Sequence, residues 1–281
     1  MSTLDTLNGR VAVITGAGSG LGRELSLLCA KAGMRLALAD VDVAGLDTTV
    51  SLLPEGTEVF TRQVDVSKPE AVEALCDATY ASYGATHLVF NNAGVAASGP
   101  TWTSTLDDWN WVLGVNLMGV VHGVKSFVPR MLASGEPGHI VNTASLAGLS
   151  SVPGSSVYCV SKHGVVTLSE CLHHELQAAD GHLGVSVLCP AFFKTGIAES
   201  ERNRPADLAE ANPLGEEYAK FVKAAIEAGR LSAADIARIT LEAVQEGRFY
   251  ILPHGGAVRQ VETRMRDILE QRAPTNPLGT A

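Results

Sequence analysis

The sequence lacks any run of Lys and Arg, and acidic residues outnumber basic ones. There are 21 Lys and Arg against 30 Asp and Glu in 281 residues, so the formal net charge is −9 at pH 7. A chain with this charge is repelled by phosphate backbones and by anionic membrane surfaces. We therefore expect neither nucleic acid nor a membrane among its partners.

Cysteine is also sparse, and targeting signals are missing. The five cysteines are odd in number, widely spaced and without a CxxC pair, which indicates neither a disulfide framework nor a zinc site. The first nine residues contain no basic stretch followed by an apolar one, and no apolar run is long enough to cross a bilayer. These absences predict a cytoplasmic protein without a bound metal.

Apolar residues and glycine are abundant instead. Hydrophobic residues make up 46 % of the chain and charged ones 18 %, and 28 residues are glycine, which is typical of a compact, enzyme-like domain. No internal repeat, low-complexity segment or linker marks a second domain. We therefore expect residues 1–281 to form a single domain.

Short apolar runs rich in β-branched residues alternate with segments of helical periodicity. The first run, residues 10–15, ends in glycines and precedes a helix predicted over residues 20–32. Further strands are predicted at residues 35–40, 59–66, 87–91, 139–143, 185–189 and 248–253. This alternation predicts an α/β fold with a doubly wound parallel sheet and helices on both faces, because parallel strands need crossover connections.

Two segments fall outside this alternation. Residues 191–230 are rich in charges and prolines, and a long insertion beside the carboxyl edge of a sheet usually forms a substrate lid or a pocket wall. Residues 255–281 form a helical extension, with a charged helix over about residues 258–272 whose polar face is expected to be solvated. The prolines and the glycine that follow this helix predict a frayed end.

Glycines crowd the junction between the first strand and the first helix. Residues 15–22 have the sequence Thr-Gly-Ala-Gly-Ser-Gly-Leu-Gly. Glycines permit a tight turn and let the backbone approach a pyrophosphate, which the helix N-terminus then binds through its free N–H groups. An ordinary tight turn has similar glycines, but the strand before it and the helix after it favour a dinucleotide site.

Asp40 closes the second predicted strand, 18 residues after Gly22. An acidic side chain at about this spacing hydrogen-bonds the hydroxyls of the adenosine ribose. A 2′-phosphate would face that carboxylate, and neither Ser19 nor Val41 supplies a compensating positive charge. Asp40 therefore favours NAD over NADP, unless it is only a solvated residue at a strand end.

Tyr158 and Lys162 lie four residues apart in a predicted helix and so share one face. The ordinary pKa of a phenol is about 10, and a neighbouring ammonium together with an oxidised nicotinamide favours the ionised form. Tyr158 can then act as general base in alcohol oxidation and as general acid in ketone reduction. Ser145 ends the fifth strand at the carboxyl edge of the sheet, where its hydroxyl can bind the substrate oxygen.

In their order and spacing, these residues resemble the single-domain branch of the short-chain dehydrogenase/reductase family. Its marks are TGxxxGxG, matched by residues 15–22, a strand-end NNAG, matched by residues 91–94, and a Ser with YxxxK, matched by Ser145 and residues 158–162. The match runs from about residue 8 to residue 195. It implies a single Rossmann-like domain and an oxidoreductase.

The resemblance also implies roles for single residues. Asn116 would anchor a water-linked proton relay from Lys162, so the expected catalytic set is Asn116, Ser145, Tyr158 and Lys162. The residues expected to contact the cofactor are Gly16, Ser19, Gly20, Leu21, Gly22, Asp40, Asp65, Val66, Asn92, Ala93, Gly94, Tyr158, Lys162, Pro190 and Thr195. One departure is Ala191, because family members usually carry glycine after this proline, and the alanine adds a methyl group beside the nicotinamide.

Aromatic residues are few, at 5 % of the chain, but several follow the expected cofactor residues. Apolar ligand pockets use such side chains, and so does ordinary core packing. The candidates are Trp102, Trp109, Trp111, Phe192 and Phe193. We predict that the substrate contacts Ser145, Tyr158 and Phe192.

The sequence thus predicts an NAD-dependent enzyme that moves a hydride between nicotinamide and a secondary alcohol or ketone. Residues 127–141 are similar to family members that oxidise bulky or aryl-substituted alcohols, which favours a hydrophobic substrate. Three alternatives stay open: an NADPH-linked ketone or oxoacyl reductase, an epimerase or dehydratase that retains NAD, and a non-catalytic NAD-binding scaffold or sensor. Family members commonly form homodimers or homotetramers through the helix that carries Tyr158, and the charged extension favours the homodimer.

Overall fold

A seven-stranded parallel sheet forms the centre of the protein. The computed structural model describes residues 6–179, 181–208 and 212–279. Within these residues the strands are β1 Val11–Thr15, β2 Arg35–Asp40, β3 Val59–Gln63, β4 Leu88–Asn91, β5 Gly138–Thr143, β6 Leu183–Leu188 and β7 Tyr250–Ile251. Their order in the sheet is β3-β2-β1-β4-β5-β6-β7. The predicted doubly wound α/β fold is confirmed.

Helices connect the strands. The α-helices of the described residues are α1 Gly20–Lys31, α2 Val43–Ser51, α3 Pro69–Tyr83, α4 Leu106–Leu113, α5 Gly119–Ser134, α6 Ser156–Ala178, α7 Pro213–Glu227, α8 Ala233–Gln245 and α9 Ala257–Leu269. A π-helical turn, Gly114–Met118, joins α4 to α5, and short 3₁₀ helices lie at Leu146–Gly148, Gly196–Asn203 and Ala206–Leu208.

The helices cover both faces of the sheet and bury its central strands. Helices α1, α2 and α8 lie on one face, where Leu25 and Ile236 pack with Ile14. Helices α3, α5 and α6 lie on the other face, where Phe127 packs with Val13. Because successive residues of a strand point to opposite faces, Val13 and Ile14 enter different cores, and all five residues of β1 are buried.

The strand order places a crevice at the carboxyl edge of the sheet. Strand β1 pairs with β2 on one side and with β4 on the other, so the chain winds in opposite directions from this point. Ligands of open α/β sheets bind outside the carboxyl ends of the strands at such a reversal. The glycine-rich loop after β1 and the NNAG turn after β4 meet there.

Two strands are shorter than the sequence predicts by three residues or more. β3 ends at Gln63 rather than at residue 66, because Asp65 accepts a hydrogen bond from Ser67 N (2.9 Å) and turns the chain. β7 has two residues, because Arg248 N still closes the end of α8 through a hydrogen bond to Ala243 O (2.9 Å).

Helices α4 and α5 and the turn between them form one continuous helix. This helix, Leu106–Ser134, has 29 residues and is long and apolar enough to cross a membrane by length and composition alone. The expectation that no apolar segment is long enough to cross a bilayer is therefore wrong for this helix. In its most apolar window 56 % of the residues are buried inside the protein, as in a core helix, and Phe127 and Met131 pack beneath the sheet.

Residues 271–279, here called the return segment, were expected to be frayed but fold back along α9. Gln271 turns the chain with a φ of 53°. Arg272 N then donates to Asp267 O (2.8 Å), and Thr275 N donates to Asp267 Oδ2 (2.8 Å). Asp267 was expected on a solvated helix face, yet only 5 % of it is exposed because the return segment covers it.

A short chain of polar side chains crosses the core between β4, β5 and α6. Asn91 Nδ2 donates to Asn142 Oδ1 (2.9 Å), and Asn142 Nδ2 donates to Ser169 Oγ (3.0 Å). Helix α5 presents Gly123 to this chain, and any Cβ at that position would overlap the Asn91 amide. Buried amides without partners are costly, so the glycine preserves the hydrogen bonds.

Replacing Gly123 by Ala should therefore destabilise the protein although alanine favours helix. Loss of a buried hydrogen bond costs about 1–3 kcal/mol, against a helix-propensity gain of up to about 1 kcal/mol. We expect the thermal midpoint, followed by circular dichroism, to fall by a few degrees. Gly255→Ala is the control, because a Cβ there meets nothing within 4 Å. An unchanged midpoint for Gly123→Ala would contradict the account of this contact.

Candidate active site

Loops at the carboxyl edge of the sheet enclose a cavity of about 860 Å³. All fifteen residues predicted to contact a cofactor lie on its wall: Gly16, Ser19, Gly20, Leu21, Gly22, Asp40, Asp65, Val66, Asn92, Ala93, Gly94, Tyr158, Lys162, Pro190 and Thr195. Ser145 and Phe192 lie there too. The structure therefore brings together every predicted site residue except Asn116.

The glycine-rich loop presents backbone groups to the cavity. Gly16 has a φ of 68°, and a Cβ on Gly22 would overlap Gly16 O, so the first turn of α1 packs directly against the loop. Ser19 occupies the N-cap position just before α1, but its side chain makes no capping hydrogen bond, and the first turn carries no acidic residue. A helix N-terminus of this kind binds anions such as a pyrophosphate.

Thr15 fastens the loops that follow β1 and β4 to each other. Its Oγ1 donates to Phe90 O (3.2 Å) and accepts from Asn92 N (3.0 Å) and Ala93 N (3.1 Å). Asn92 Nδ2 in turn donates to Thr15 O (2.9 Å). These bonds fix the NNAG turn beside the glycine-rich loop and form the wall between them.

Asp40 is held by the backbone at the end of β2. Its Oδ2 accepts from Gly18 N (2.8 Å) and its Oδ1 accepts from Asp42 N (3.0 Å). Asp42 also lies on the wall, and its Oδ1 accepts from Gly45 N (3.0 Å) at the start of α2. Arg23, a nearby cation, is turned away and donates to Gly18 O and to Thr49 Oγ1 (3.0 Å). Lys68 lies on the wall as well, in the loop after β3.

Helix α6 carries Tyr158 and Lys162 on one face, as predicted. Lys162 is almost completely buried, and its Nζ donates to Thr143 O (2.8 Å) and lies 5.6 Å from the centroid of the Tyr158 ring. Burial lowers the pKa of Lys162 to about 8. The ammonium thus sits below the phenol in a poorly solvated position.

The phenol of Tyr158 is not ionised by the protein alone. Burial raises the pKa of Tyr158 to about 12, while a hydrogen bond with Ser145 lowers it. The expectation that Lys162 lowers this pKa is not met in the protein by itself, where burial is the largest influence.

Ser145 has two structural partners besides its place on the wall. It begins the 3₁₀ helix Leu146–Gly148, so its Oγ accepts from Ala147 N (3.1 Å), and it donates to Pro190 O (3.2 Å). Ser145 lies two residues beyond the last residue of β5. The hydroxyl therefore links the loops after β5 and β6 next to the Tyr158 hydroxyl.

Asn116 lies behind the wall, in the π-helical turn. It is fully buried, and its Oδ1 accepts from Val95 N (2.8 Å), while its Nδ2 donates to Val95 O (2.9 Å) and Ser161 Oγ (3.1 Å). Gly94 separates it from Lys162: a Cβ on Gly94 would lie 3.4 Å from Asn116 Oδ1 and 3.6 Å from Lys162 Nζ. Asn116 is thus close to the other three residues of the predicted catalytic set without lining the cavity.

The departure at Ala191 is accommodated. Among the described residues the one non-glycine with a positive φ is Gln271, so Ala191 has an ordinary backbone conformation in which a methyl group causes no strain. Ala191 N donates to His254 Nδ1 (3.1 Å), which fixes the loop after β6 to the loop after β7.

The other end of the cavity, here called the apolar end, carries most of the aromatic and aliphatic wall residues, and Ser200, Arg202, Asn203 and Asp207 line it as well. Of the predicted aromatic residues, Trp111, Phe192 and Phe193 line it, whereas Trp109 packs beside Trp111 and Trp102 is 86 % exposed. Residues 191–230 supply further wall residues, as predicted: Ile197, Leu208, Val222 and Ile226.

Sequence reasoning missed the contribution of the chain beyond residue 255. Gln260 of α9 and Pro277 and Leu278 of the return segment line the cavity. Nothing in the sequence pattern shows what this extension packs against, because its charges and prolines are those of a solvated tail. The hydrogen bonds that Asp267 accepts from Arg272 N and Thr275 N fold the return segment back to the cavity wall.

Comparisons with known proteins agree with this geometry. The family model for short chain dehydrogenases matches residues 10–206. A solved short chain dehydrogenase/reductase from Burkholderia phymatum, in complex with NAD, is 48 % identical, with a TM-score of 0.96 over 99 % of this chain and 100 % of its own.

Two curated relatives are dehydrogenases. CLA biosynthesis dehydrogenase/reductase of Lactiplantibacillus plantarum is 33 % identical over 275 residues, which cover 94 % of this chain and 95 % of the relative. Cyclohexanol dehydrogenase of an Acinetobacter species is 34 % identical over 211 residues, which cover 74 % and 82 %. With the sheet order and the wall residues in place, the chain belongs to the short-chain dehydrogenase/reductase family of oxidoreductases.

Proposed function

We propose that this protein is an NAD-dependent dehydrogenase that interconverts a hydrophobic or aryl-substituted secondary alcohol and its ketone. The observation that carries the proposal is the placement of Tyr158, Ser145 and Lys162 on one wall, between the glycine-rich loop and an apolar chamber. The complex of the Burkholderia phymatum relative with NAD supports the cofactor. The cyclohexanol dehydrogenase supports an alcohol as substrate.

The wall residues fit a dinucleotide. The first turn of α1 would hold the pyrophosphate, Asp40 the adenosine ribose, and Asp65 and Val66 the adenine, while Asn92, Gly94 and Thr195 border the nicotinamide half. The nicotinamide, when bound, accepts a hydride from the alcohol or gives one to the ketone. NAD rather than NADP is proposed because a 2′-phosphate would face the carboxylates of Asp40 and Asp42.

Tyr158 is the proposed proton carrier. In alcohol oxidation its Oη takes the hydroxyl proton of the substrate, and in ketone reduction it returns a proton to the carbonyl oxygen. Because burial raises the pKa of Tyr158 to about 12, the free protein holds the phenol protonated at neutral pH. Alcohol oxidation needs the ionised phenol, which the positive charge of an oxidised nicotinamide would favour.

Ser145 and Lys162 support this chemistry from either side. The Ser145 hydroxyl is next to that of Tyr158 and can hydrogen-bond the substrate oxygen. Lys162 keeps a positive charge beneath the phenol through its bond to Thr143 O and would orient the cofactor ribose. Asn116 holds Val95 and Ser161 around Lys162, and we place the water-linked proton relay at this position.

We also propose that the chain is a single domain that acts as a cytoplasmic homodimer. All five cysteines are free, and four of them are buried, which suits a reducing compartment. Val160 on α6 is 49 % exposed and Met118 is 42 % exposed, so apolar side chains are available for association near the helix that carries Tyr158.

Tyr158→Phe should abolish turnover without abolishing cofactor binding. Loss of general acid–base catalysis is expected to lower kcat by about 10²–10⁴-fold, while NADH binding, followed by fluorescence, persists. The assay is NADH formation from cyclic and aryl secondary alcohols. Tyr83→Phe is the matched control, since Tyr83 lies away from the cavity. If wild type binds NAD but oxidises no alcohol, the epimerase or scaffold alternative replaces the proposal.

Lys162→Met should inactivate the enzyme and yet stabilise it. The pKa of Lys162 falls from 10.5 to about 8 on folding, so the unfolded chain binds the proton more tightly and the ammonium opposes folding at neutral pH. We expect the thermal midpoint at pH 7 to rise by a few degrees. The gain should shrink between pH 8 and pH 10.5, as the lysine loses its proton in the folded protein.

The matched control for this experiment is Lys125→Met, on the exposed side of α5. It removes the same charge where solvent already surrounds it, so its midpoint should change little. A midpoint for Lys162→Met below that of wild type at pH 7 would show that the ammonium stabilises the fold, against this account.

Asp40→Ser should shift the cofactor preference toward NADP. Removing the carboxylate takes away the ribose acceptor for NAD and the repulsion of a 2′-phosphate, so the ratio of kcat/KM for NAD to that for NADP should fall tenfold or more. Asp47→Ser, on the exposed side of α2, is the control for net charge. A wild-type preference for NADP would refute the proposed role of Asp40.

A further inference from the structure

A buried ion pair lies just outside the apolar end of the cavity. Arg204, between the last two 3₁₀ helices, pairs with Asp108 of α4 at 2.7 Å between Nη2 and Oδ1. Their side chains are 6 % and 4 % exposed. The reaction proposed above uses neither residue, and neither lines the cavity.

Each partner is held by further hydrogen bonds. Arg204 Nε and Nη2 donate to the two oxygens of Glu201 (2.6 and 2.8 Å), and Nη1 donates to Leu208 O (3.1 Å). Asp108 Oδ2 accepts from Thr105 N (3.0 Å) at the start of α4 and from Asn212 Nδ2 (3.4 Å). The planar guanidinium thus donates hydrogen bonds from all three of its nitrogens, an arrangement that the single ammonium of a lysine could not reproduce.

The guanidinium also covers one side of a wall residue. Arg204 Cζ lies 4.2 Å from the centroid of the Trp111 ring, a distance typical of a cation–π contact. Trp111 lines the cavity, and so does Leu208, whose carbonyl Arg204 binds. Because Arg204 does not line the cavity, it holds these two wall residues from behind.

We propose that Arg204, paired with Asp108, is a positioning residue that fixes the substrate wall, defined as Trp111 and residues 196–208. The proposal rests on the proposed function for its substrate, a bulky alcohol that contacts this wall. Arg204 would then set substrate affinity without touching the reacting atoms.

Loss of the guanidinium would free this wall. The Asp108 carboxylate would remain buried without its charge partner, which is strongly unfavourable, so residues 196–208 would leave α4 and admit water. Tyr158 and Lys162 are held by α6, and Ser145 is held by its hydrogen bonds with Ala147 N and Pro190 O. These three side chains would not move. Binding that is equal in the ground state and the transition state affects KM and leaves kcat unchanged.

The experiment compares Arg204→Gln and Arg204→Lys with wild type. KM and kcat are measured for a bulky aryl secondary alcohol and for cyclohexanol, and NADH affinity is measured by fluorescence. Lys223→Gln is the matched control, because Lys223 forms an exposed ion pair with Glu199 of the same segment (3.6 Å), and such pairs contribute little.

Proteolysis adds a readout that needs no turnover. Within residues 196–208 trypsin can cut after Arg202, whereas Arg204 precedes a proline. In the folded protein Arg202 Nη1 donates hydrogen bonds to Gly196 O (3.0 Å) and Glu199 O (2.8 Å), which restrain this segment. Cleavage at this site, identified by mass spectrometry of the fragments, reports whether the segment has left α4.

We expect Arg204→Gln to raise KM for the aryl alcohol tenfold or more, to raise KM for cyclohexanol less, and to change kcat and NADH affinity less than threefold. Cleavage at Arg202 should accelerate, with Arg204→Lys intermediate and Lys223→Gln like wild type. Unchanged KM and cleavage, or an equal loss of NADH affinity, would overturn the proposal. If wild type oxidises no alcohol, the proposed function fails and the cleavage rates alone decide the role of Arg204.

Discussion

The hydroxyl of Thr15 joins the two strands on which the whole site depends. Strands β1 and β4 are neighbours in the sheet, although more than seventy residues separate them in the chain, and the loops that follow them must meet to leave one crevice. Thr15 accepts from the NNAG turn and donates to the end of β4. The glycines of the first loop then bring the backbone of α1 so close that no side chain intervenes.

Two cations are buried near this crevice, and they differ in how many acceptors surround them. Lys162 has one close acceptor, Thr143 O, and burial lowers its pKa. Arg204 has a carboxylate on either side and a carbonyl besides. The charge of Lys162, which has few compensating partners, lies where proton transfer is proposed. The charge of Arg204, which has several, lies where the residue is proposed only to hold the cavity wall in position. Burial thus lowers the pKa of Lys162, whereas the buried guanidinium of Arg204 is held by two carboxylates and a carbonyl.

Much of the site could be predicted from the sequence, because parallel strands place their carboxyl ends at one edge. This rule predicts that the glycine-rich loop after β1, the acid at the end of β2 and the YxxxK helix lie close together. The local sequence pattern did not predict which side chains are buried where contacts between distant parts of the chain decide their exposure. Trp102 and Trp111 look alike in sequence, yet one is exposed and the other lines the cavity. Asp267 has the spacing of a solvated charge and is buried by residues that follow it.

The cavity wall is divided along the chain. Most of the wall proposed to bind the dinucleotide comes from residues 16–94, and most of the apolar wall comes from residues 190–278, with Trp111 and helix α6 between them. Within the later residues, α8 packs on α1 and β1, whereas residues 196–208 and the return segment lie outside the two cores beside the sheet. Descendants of one ancestral gene can therefore acquire new substrates through exchanges in these two segments, while the sheet and its first βαβ units are inherited intact.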